Sequence, residues 1–113
     1  MIQCDKFDII LVPFPFTDLT SSKKRPAIVV SPTAYNSSLD VVIAFVTSNI
    51  YSTPTVGDYH LLDWQQSGLP KPSLVRMKFA TIDRNIVIRT LGKCTITDAQ
   101  NITATLVDFF AKI

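Results

Sequence analysis

The chain alternates short apolar runs with polar breaks that contain proline, glycine or asparagine. The runs are rich in Val, Ile and Phe, which favour strands, and the breaks favour turns. Residues 41–48 read VVIAFVTS, without alternation, which predicts a central strand that is buried on both faces. We predict strands over residues 7–16, 26–31, 41–48, 59–62, 73–79 and 86–94.

The hydrophobic period changes near the C-terminus. Residues 97–100, Thr-Asp-Ala-Gln, match a capping box, with a Thr cap and a Gln three residues later. Apolar residues then recur at helical spacing. They predict one substantial helix that packs on the sheet through Ile102, Leu106, Phe109, Phe110 and Ile113. A single helical turn is expected between Asp63 as cap and Gly68 as stop.

Many short strands and one terminal helix predict a single domain over residues 1–113. Its expected fold class is mainly β with a C-terminal helix, as a small antiparallel barrel or a strongly curved sheet. Gly92 is expected to mark a bulge or bend in the last strand. The low charged content, 18%, indicates that part of the apolar surface is covered by another subunit or a partner.

Composition narrows the possible chemistry. The net charge of +2 permits contact with nucleic acid without requiring it. No membrane-length apolar run or signal pattern is present, so we expect a cytoplasmic protein without a membrane partner. Cys4 and Cys94 lack CxxC partners and His60 is the only histidine, so we expect no metal and no cofactor. His60 is expected to be an ordinary strand residue.

Arg25 is the most informative single residue. It follows Lys23 and Lys24 and precedes Pro26, whose ring suits the start of a strand or an edge. The planar fork of an arginine held at the mouth of a strand suits an oxyanion, above all phosphate. The alternative is that the three cations only keep a hairpin loop soluble.

Polar residues at other strand ends complete the candidate site. Thr47 and Ser48 end the central strand, and Arg76 lies within a later one. If neighbouring strands bring Arg25 and Thr47 to one rim, a guanidinium and a hydroxyl could stabilise a crowded phosphate together. The alternatives are that Thr47 caps a turn and that Arg76 pairs with a carboxylate.

Five segments resemble, in order, those of the PemK/MazF family of bacterial toxins: residues 8–14 (DIILVPF), 25–31 (RPAIVVS), 46–48 (VTS), 68–76 (GLPKPSLVR) and 81–83 (TID). The resemblance implies a small SH3-like antiparallel barrel with a C-terminal helix, usually a homodimer. It implies a metal-independent, sequence-specific endoribonuclease that cuts single-stranded RNA, and an antitoxin protein that occupies the RNA site. It assigns the catalytic roles to Arg25 and Thr47. Lys23, Lys24, Ser48 and Arg76 are the expected RNA-binding or supporting residues.

The chain also departs from the family pattern. Phe7 stands where the family commonly has glycine, Met77 and Lys78 follow Arg76 where some members carry a carboxylate, and residues 17–24 contain no histidine. The sequence therefore does not identify the group that transfers the proton during RNA cleavage. Two alternatives remain: a non-catalytic barrel toxin that binds a protein such as DNA gyrase, and an inactive family member.

RNA supplies its own nucleophile, the 2′-OH, so we expect products with 2′,3′-cyclic phosphate and 5′-OH ends. Tyr35, Tyr51 and the loop over residues 17–24 are candidates for base contacts. The alternative for the two tyrosines is that they only shield the ends of strands.

Overall fold

The structure, a computed structural model, describes residues 2–14 and 23–113. In these ranges six antiparallel strands form one sheet in the order β4-β5-β3-β2-β1-β6. This confirms the mainly β fold with a C-terminal helix. The strands are β1 Asp8–Phe14, β2 Lys23–Val29, β3 Asp40–Thr47, β4 Tyr59–His60, β5 Leu74–Asp83 and β6 Arg89–Lys93; the helices are α1 Thr33–Asn36, α2 Ile96–Ala111 and a 3-10 turn, Arg84–Ile86.

All six predicted strands are present, with shifted bounds. β5 continues four residues beyond the predicted end to Asp83, and β6 begins only at Arg89 because the 3-10 turn precedes it. Residues 15 and 16 of the first predicted strand, and residues 17–22 of the predicted loop, lie outside the described residues.

The curled sheet has an apolar core on each face. Ile43 of β3 belongs to one core and its neighbour Ala44 to the other, and both are fully buried. The expectation that this strand is buried on both faces is therefore confirmed for these residues. The first core also contains Cys4, Ile10, Val12, Ala27, Val29, Val41, Ile82 and Val87. The second contains Ile9, Ile28, Val46, Leu61, Leu69, Val75, Cys94 and Ile102.

Two irregularities shape the sheet. Opposite Ala44 and Phe45 of β3 stand Phe79 and Arg76 of β5, so two residues of β5 are inserted between paired positions. An even insertion keeps the alternation of side chains, and Arg76 therefore shares a face with Phe45. In β6 the register shifts by one residue at Gly92, as predicted.

Two glycines bring the turn after β4 against β6. A Cβ on Gly68 would lie 2.2 Å from the carbonyl oxygen of Leu91, and one on Gly92 would lie 2.3 Å from that of Ser67. Gly68 has a φ of +88°, which fits its predicted role as the stop of this turn. The Asp63 carboxylate accepts a hydrogen bond from the Thr95 hydroxyl at 2.7 Å.

The predicted start of the C-terminal helix is wrong by two residues. Its cap is Thr95, whose side chain accepts from the backbone N of Asp98, and not Thr97. The fully buried Asp98 carboxylate accepts hydrogen bonds from the backbone N–H groups of Leu62 and Asp63, which holds it in the first helical turn. Ile102 packs into the second core as predicted, whereas Phe110 leaves 68% of its surface exposed.

Within residues 2–14 and 23–113, no helix is both long and apolar enough to cross a bilayer.

Candidate functional site

The ends of β2 and β3 place Arg25 beside Thr47. Ala27 of β2 pairs with Phe45 of β3 in an antiparallel register. Arg25 lies two residues before Ala27, and Thr47 lies two residues after Phe45. Since side chains two residues apart point to the same face, Arg25 and Thr47 extend from one face at one end of the sheet.

Two cavities adjoin at this end, and Arg25, Val46 and Thr47 line both. The first, which we call the loop cavity, has a volume of about 250 Å³. The second, the sheet cavity, has a volume of about 210 Å³. Further residues of the loop cavity are Lys24, Pro26, Ser48, Leu69, Pro70, Lys71 and Ser73. Further residues of the sheet cavity are Phe14, Phe45, Arg76 and Lys78.

The lining of both cavities is strongly cationic. Five of the chain's eleven Lys and Arg residues contribute to it, and none of the described lining residues carries a carboxylate. Clustering on this scale favours an anionic ligand although the net charge is only +2. The five are Lys24, Arg25, Lys71, Arg76 and Lys78.

Arg25 is exposed, and its side chain lies over an aromatic ring. Its guanidinium carbon is 5.3 Å from the centre of the Phe14 ring, within the range of a cation–π contact. Among the described residues no ion pair or hydrogen bond occupies the Arg25 fork. Within the described residues, the fork thus keeps its hydrogen-bond donors for a ligand.

The Thr47 hydroxyl has a structural contact as well as a place in the cavities. Its oxygen accepts a hydrogen bond from the backbone N of Asn49 at 3.1 Å, so the expected turn cap is present. This contact uses a lone pair and leaves the hydroxyl proton to be donated. Ser48, the next residue, lines the loop cavity.

Arg76 lines the sheet cavity and is paired with a carboxylate. Its Nε and Nη2 donate to Asp58 at 3.1 and 3.0 Å. Of the two readings that the sequence left open for Arg76, pairing is thus present, and the position at the cavity is compatible with both. Asp58 could not be identified from the sequence because no spacing rule links its loop to β5.

Lys23 and Lys24 diverge. Lys24 lines the loop cavity, whereas Lys23 pairs across the ladder with Phe14 and is not among the described lining residues of either cavity. Of the two tyrosines that are candidates for base contacts, Tyr51 is 94% exposed and Tyr35 43%, and neither is among those lining residues.

Aromatic rings line the sheet cavity, which the sequence pattern did not predict. The rings of Phe14 and Phe45 meet edge to face with centroids 6.3 Å apart. The Lys78 ammonium lies 5.2 Å from the centre of the Phe45 ring. The only sequence signal was the clustering of Phe residues near Pro13, which equally fits a core.

Other reactive groups lie away from these cavities. Cys4 and Cys94 are buried and not joined in a disulfide, and burial raises the pKa of Cys94 to about 12. A thiol with such a pKa is a poor nucleophile at neutral pH. His60 is an exposed residue of β4. In the described part of the chain no three His, Cys, Asp or Glu residues are grouped so that they could hold a metal ion.

The sequence matches the profile of one protein family over most of its length. Residues 5–110 match PemK-like, MazF-like toxins of type II toxin–antitoxin systems. The chain belongs to this family. A comparison with curated protein sequences gave no significant match.

Solved structures share the fold. An endoribonuclease in complex with its cognate antitoxin from a mycobacterial species superimposes with a TM-score of 0.75 at 16% identity, covering 100% of this chain and 98% of the other. A MazE–MazF structure from Deinococcus radiodurans gives 0.74 at 16% identity with 100% of both chains covered. The Mycobacterium tuberculosis toxin MazF-mt6 gives 0.72 at 17% identity, covering 91% and 95%. At these identities the likeness establishes the fold.

Proposed function

We propose that this chain is a toxin that cleaves single-stranded RNA at short sequences without a metal ion. Membership of a toxin family and the likeness to endoribonucleases support the proposal. The observation that carries it is local: Arg25 and Thr47 line the same two cavities, within a cluster of five cations. A phosphodiester is the ligand that this chemistry fits best.

In the proposed reaction the 2′-oxygen of the RNA attacks the adjacent phosphorus. The new bond joins O2′ to phosphorus, and the bond from phosphorus to O5′ breaks. The 2′-OH proton passes to water, and the departing O5′ takes a proton from water. The products end in a 2′,3′-cyclic phosphate and a 5′-OH.

Arg25 and Thr47 act on the charge that develops on the phosphate. Arg25 donates paired hydrogen bonds to the non-bridging oxygens, and Thr47 donates its hydroxyl proton to one of these oxygens or to the leaving oxygen. Donors that are already oriented in this way lower the barrier because they need no reorganisation during the reaction. Lys24 and Ser48 hold the neighbouring backbone in the loop cavity, and Lys23 strengthens the attraction from outside it.

The sheet cavity is suited to a base next to the scissile phosphate. Single-stranded RNA is read through unstacked bases that lie on aromatic or arginine faces. Phe14 and Phe45 supply aromatic surface, and Lys78 beside them can contact the backbone. This cavity is therefore the proposed source of sequence preference.

The proposal includes a cognate antitoxin whose acidic segment binds the same cationic cavities, a homodimeric toxin and a cytoplasmic location. The mycobacterial and Deinococcus neighbours, which are complexes with antitoxins, support the first of these. Analytical ultracentrifugation of the pure chain tests the homodimer.

The direct test is cleavage of a long unstructured RNA in excess EDTA. The wild type is expected to cut it. Arg25→Lys should lose roughly 100-fold in rate, because a point charge cannot replace the fork. Thr47→Val should show a similar loss, and Thr47→Ser, which keeps the hydroxyl, should retain most activity.

Lys112→Gln is the matched control. Lys112 pairs with Asp108 at the end of α2, and its substitution should leave the rate unchanged. Intact RNA at high wild-type concentration would contradict the proposal, and inhibition of DNA gyrase by the same sample would favour a protein-binding toxin. Near-normal cleavage by Arg25→Lys would remove Arg25 from the mechanism.

A further inference from the structure

Asp58 and Arg76 form two parallel hydrogen bonds beside the sheet cavity. Arg76 Nε lies 3.1 Å from Asp58 Oδ1, and Nη2 lies 3.0 Å from Oδ2. A paired contact of this kind fixes the plane of the guanidinium as well as its position. The side chains of Arg76 and Asp58 are only 24% and 9% exposed, so water competes weakly for these bonds.

The loop that carries Asp58 is itself fixed. Asp58 Oδ2 accepts from the backbone N of Thr55 at 2.8 Å, and the backbone N of Asp58 donates to the Thr55 carbonyl at 3.0 Å. Gly57 has a φ of +86°, and a Cβ there would lie 2.4 Å from Cγ of Met77 in β5. The turn is thus pressed against the strand that carries Arg76. The Arg76 hydrogen bond lowers the pKa of Asp58, so its carboxylate is charged at neutral pH.

The third nitrogen of the Arg76 guanidinium, Nη1, is not used by the pairing with Asp58. Nη2 donates to the Ser52 hydroxyl at 3.3 Å in addition to Asp58. Nη1 has no hydrogen-bond partner in the parts of the chain that the structure describes. Arg76 lines the sheet cavity together with Arg25 and Thr47.

We propose that Asp58 is a positioning residue for RNA cleavage, an inference that rests on the ribonuclease function proposed above. Asp58 holds Arg76 so that Nη1 donates to a phosphate oxygen of RNA in the sheet cavity. It acts through Arg76 and does not touch the substrate.

The Asp58–Arg76 pair orients a hydrogen-bond donor of Arg76 and adds little electrostatic attraction for RNA. The two side chains carry opposite charges, so together they contribute little to the field that draws RNA towards the cavities. Asp58 should therefore affect the rate of the bound complex and not its formation.

The test is steady-state RNA cleavage by the wild type, Asp58→Asn, Arg76→Gln and the double variant. In Asp58→Asn an amide N–H₂ replaces an acceptor oxygen and opposes the Arg76 donors. We expect kcat to fall on the order of ten-fold because the guanidinium loses its orientation. KM should stay constant or fall, since a negative charge has been removed. In the Arg76→Gln background, Asp58→Asn should cause no further loss.

Asp108→Asn is the matched control, because it removes the carboxylate of an exposed pair on α2, and it should leave kcat and KM unchanged. A kcat of Asp58→Asn within two-fold of the wild type would overturn the proposal, as would an equal loss in the Arg76→Gln background. If Asp58→Asn does not fold, Asp58→Glu decides. Its displaced carboxylate should lower kcat several-fold at constant KM, and wild-type kcat would overturn the proposal. A wild type that leaves RNA intact overturns the proposed function, and this inference with it.

Discussion

At the scale of single residues, Phe7 has an unusual backbone. It is the one residue other than glycine with positive φ, +70°, among the residues that the structure describes. Its N–H donates to the Val29 carbonyl at 2.7 Å, and its carbonyl accepts from the backbone N of Cys94 at 3.0 Å. The entry into β1 is thereby pinned between β2 and β6, and this imposes the left-handed conformation. This positive φ explains why glycine, which adopts it without strain, is common at this position in the family.

We predict that Phe7→Gly is more stable than Phe7→Ala by about 1 kcal/mol, because a left-handed backbone costs a residue with a Cβ about that much. Both variants lose the ring, so their difference isolates the backbone. At the exposed helical position 104 the order should reverse, with Ala104→Gly less stable than the wild type by about 1 kcal/mol. Urea unfolding of the four proteins measures both differences. Equal stabilities of Phe7→Gly and Phe7→Ala would show that the conformation carries no cost.

Single residues also mark the limit of sequence reasoning at the site. Arg25 and Thr47 were identifiable as candidates because Arg25 directly precedes the strand predicted over residues 26–31 and Thr47 lies near the end of the one predicted over residues 41–48. In the structure Arg25 is the third residue of β2 and Thr47 the last of β3. Their proximity then follows from the antiparallel register in which β2 pairs with β3. Asp58 precedes Arg76 by 18 positions and meets it only through the packing of a loop on β5. Contacts of that kind leave no periodic trace in the sequence.

At the scale of elements, Asp98 joins α2 to the segment after β4. Its buried carboxylate accepts hydrogen bonds from Tyr59 Oη at 2.5 Å and from the backbone N of Leu62 and Asp63 at 3.0 and 2.8 Å. That segment leads into the residues that form one wall of the loop cavity, and Leu61 N donates to the carbonyl of Ser73 in that wall. Through this segment, the helix therefore stabilises one wall of the loop cavity.

The hydrogen bond between Tyr59 and Asp98 predicts that the stability of the fold changes at alkaline pH. Burial, and then the hydrogen bond to Asp98, raise the pKa of Tyr59 to about 12, against an ordinary value near 10. Because the folded state prefers the neutral phenol, its contribution is complete below about pH 10 and is lost as the pH rises towards 12. Tyr59→Phe should lower the free energy of unfolding by about 1 kcal/mol at pH 7. The advantage of the wild type over Tyr59→Phe should then shrink between about pH 10 and 12.

Denaturant unfolding at each pH measures this difference, with Tyr51→Phe as control, since Tyr51 is 94% exposed. If the stability advantage of the wild type over Tyr59→Phe stays constant up to pH 12, the proposed contribution of the Tyr59–Asp98 hydrogen bond is contradicted.

The hydrogen bonds of Asp98 also explain why the helix start was predicted wrongly. Thr97 with Gln100 and Thr95 with Asp98 both have the spacing of a capping box. Local sequence does not choose between them. The contacts of Asp98 with the segment after β4 do, because they require Asp98 within the first turn.

At the scale of the whole molecule, cations are gathered near the starts of β2 and β5 and the end of β3. The strand order that brings these ends together was not predictable, because short strands of similar composition allow several pairings. Away from the cavities, Lys93 and Lys112 are paired with Asp8 and Asp108. In the cavities Arg76 is paired with Asp58, and the other four cations form no ion pair within the described residues. We expect these four to attract an anionic partner.

The proposed RNA contact predicts how binding responds to salt. Single-stranded DNA of matched length lacks the 2′-OH and serves as an uncleavable ligand. Its affinity should fall linearly with salt on logarithmic axes, by about 0.7 in slope for each phosphate contacted. Lys71→Gln removes one cation from the loop cavity and should reduce the slope by about that amount. Lys112→Gln, whose charge lies on the end of α2, should leave it unchanged.

Fluorescence anisotropy across a salt series measures both slopes. An acidic antitoxin segment that shares the cavities should displace the labelled DNA from the wild type, and Lys71→Gln should weaken both ligands. Equal slopes for the wild type and Lys71→Gln would place the nucleic acid elsewhere on the surface. Loss of DNA binding without loss of antitoxin binding would separate the two sites, and the antitoxin would then have to inhibit from a distance.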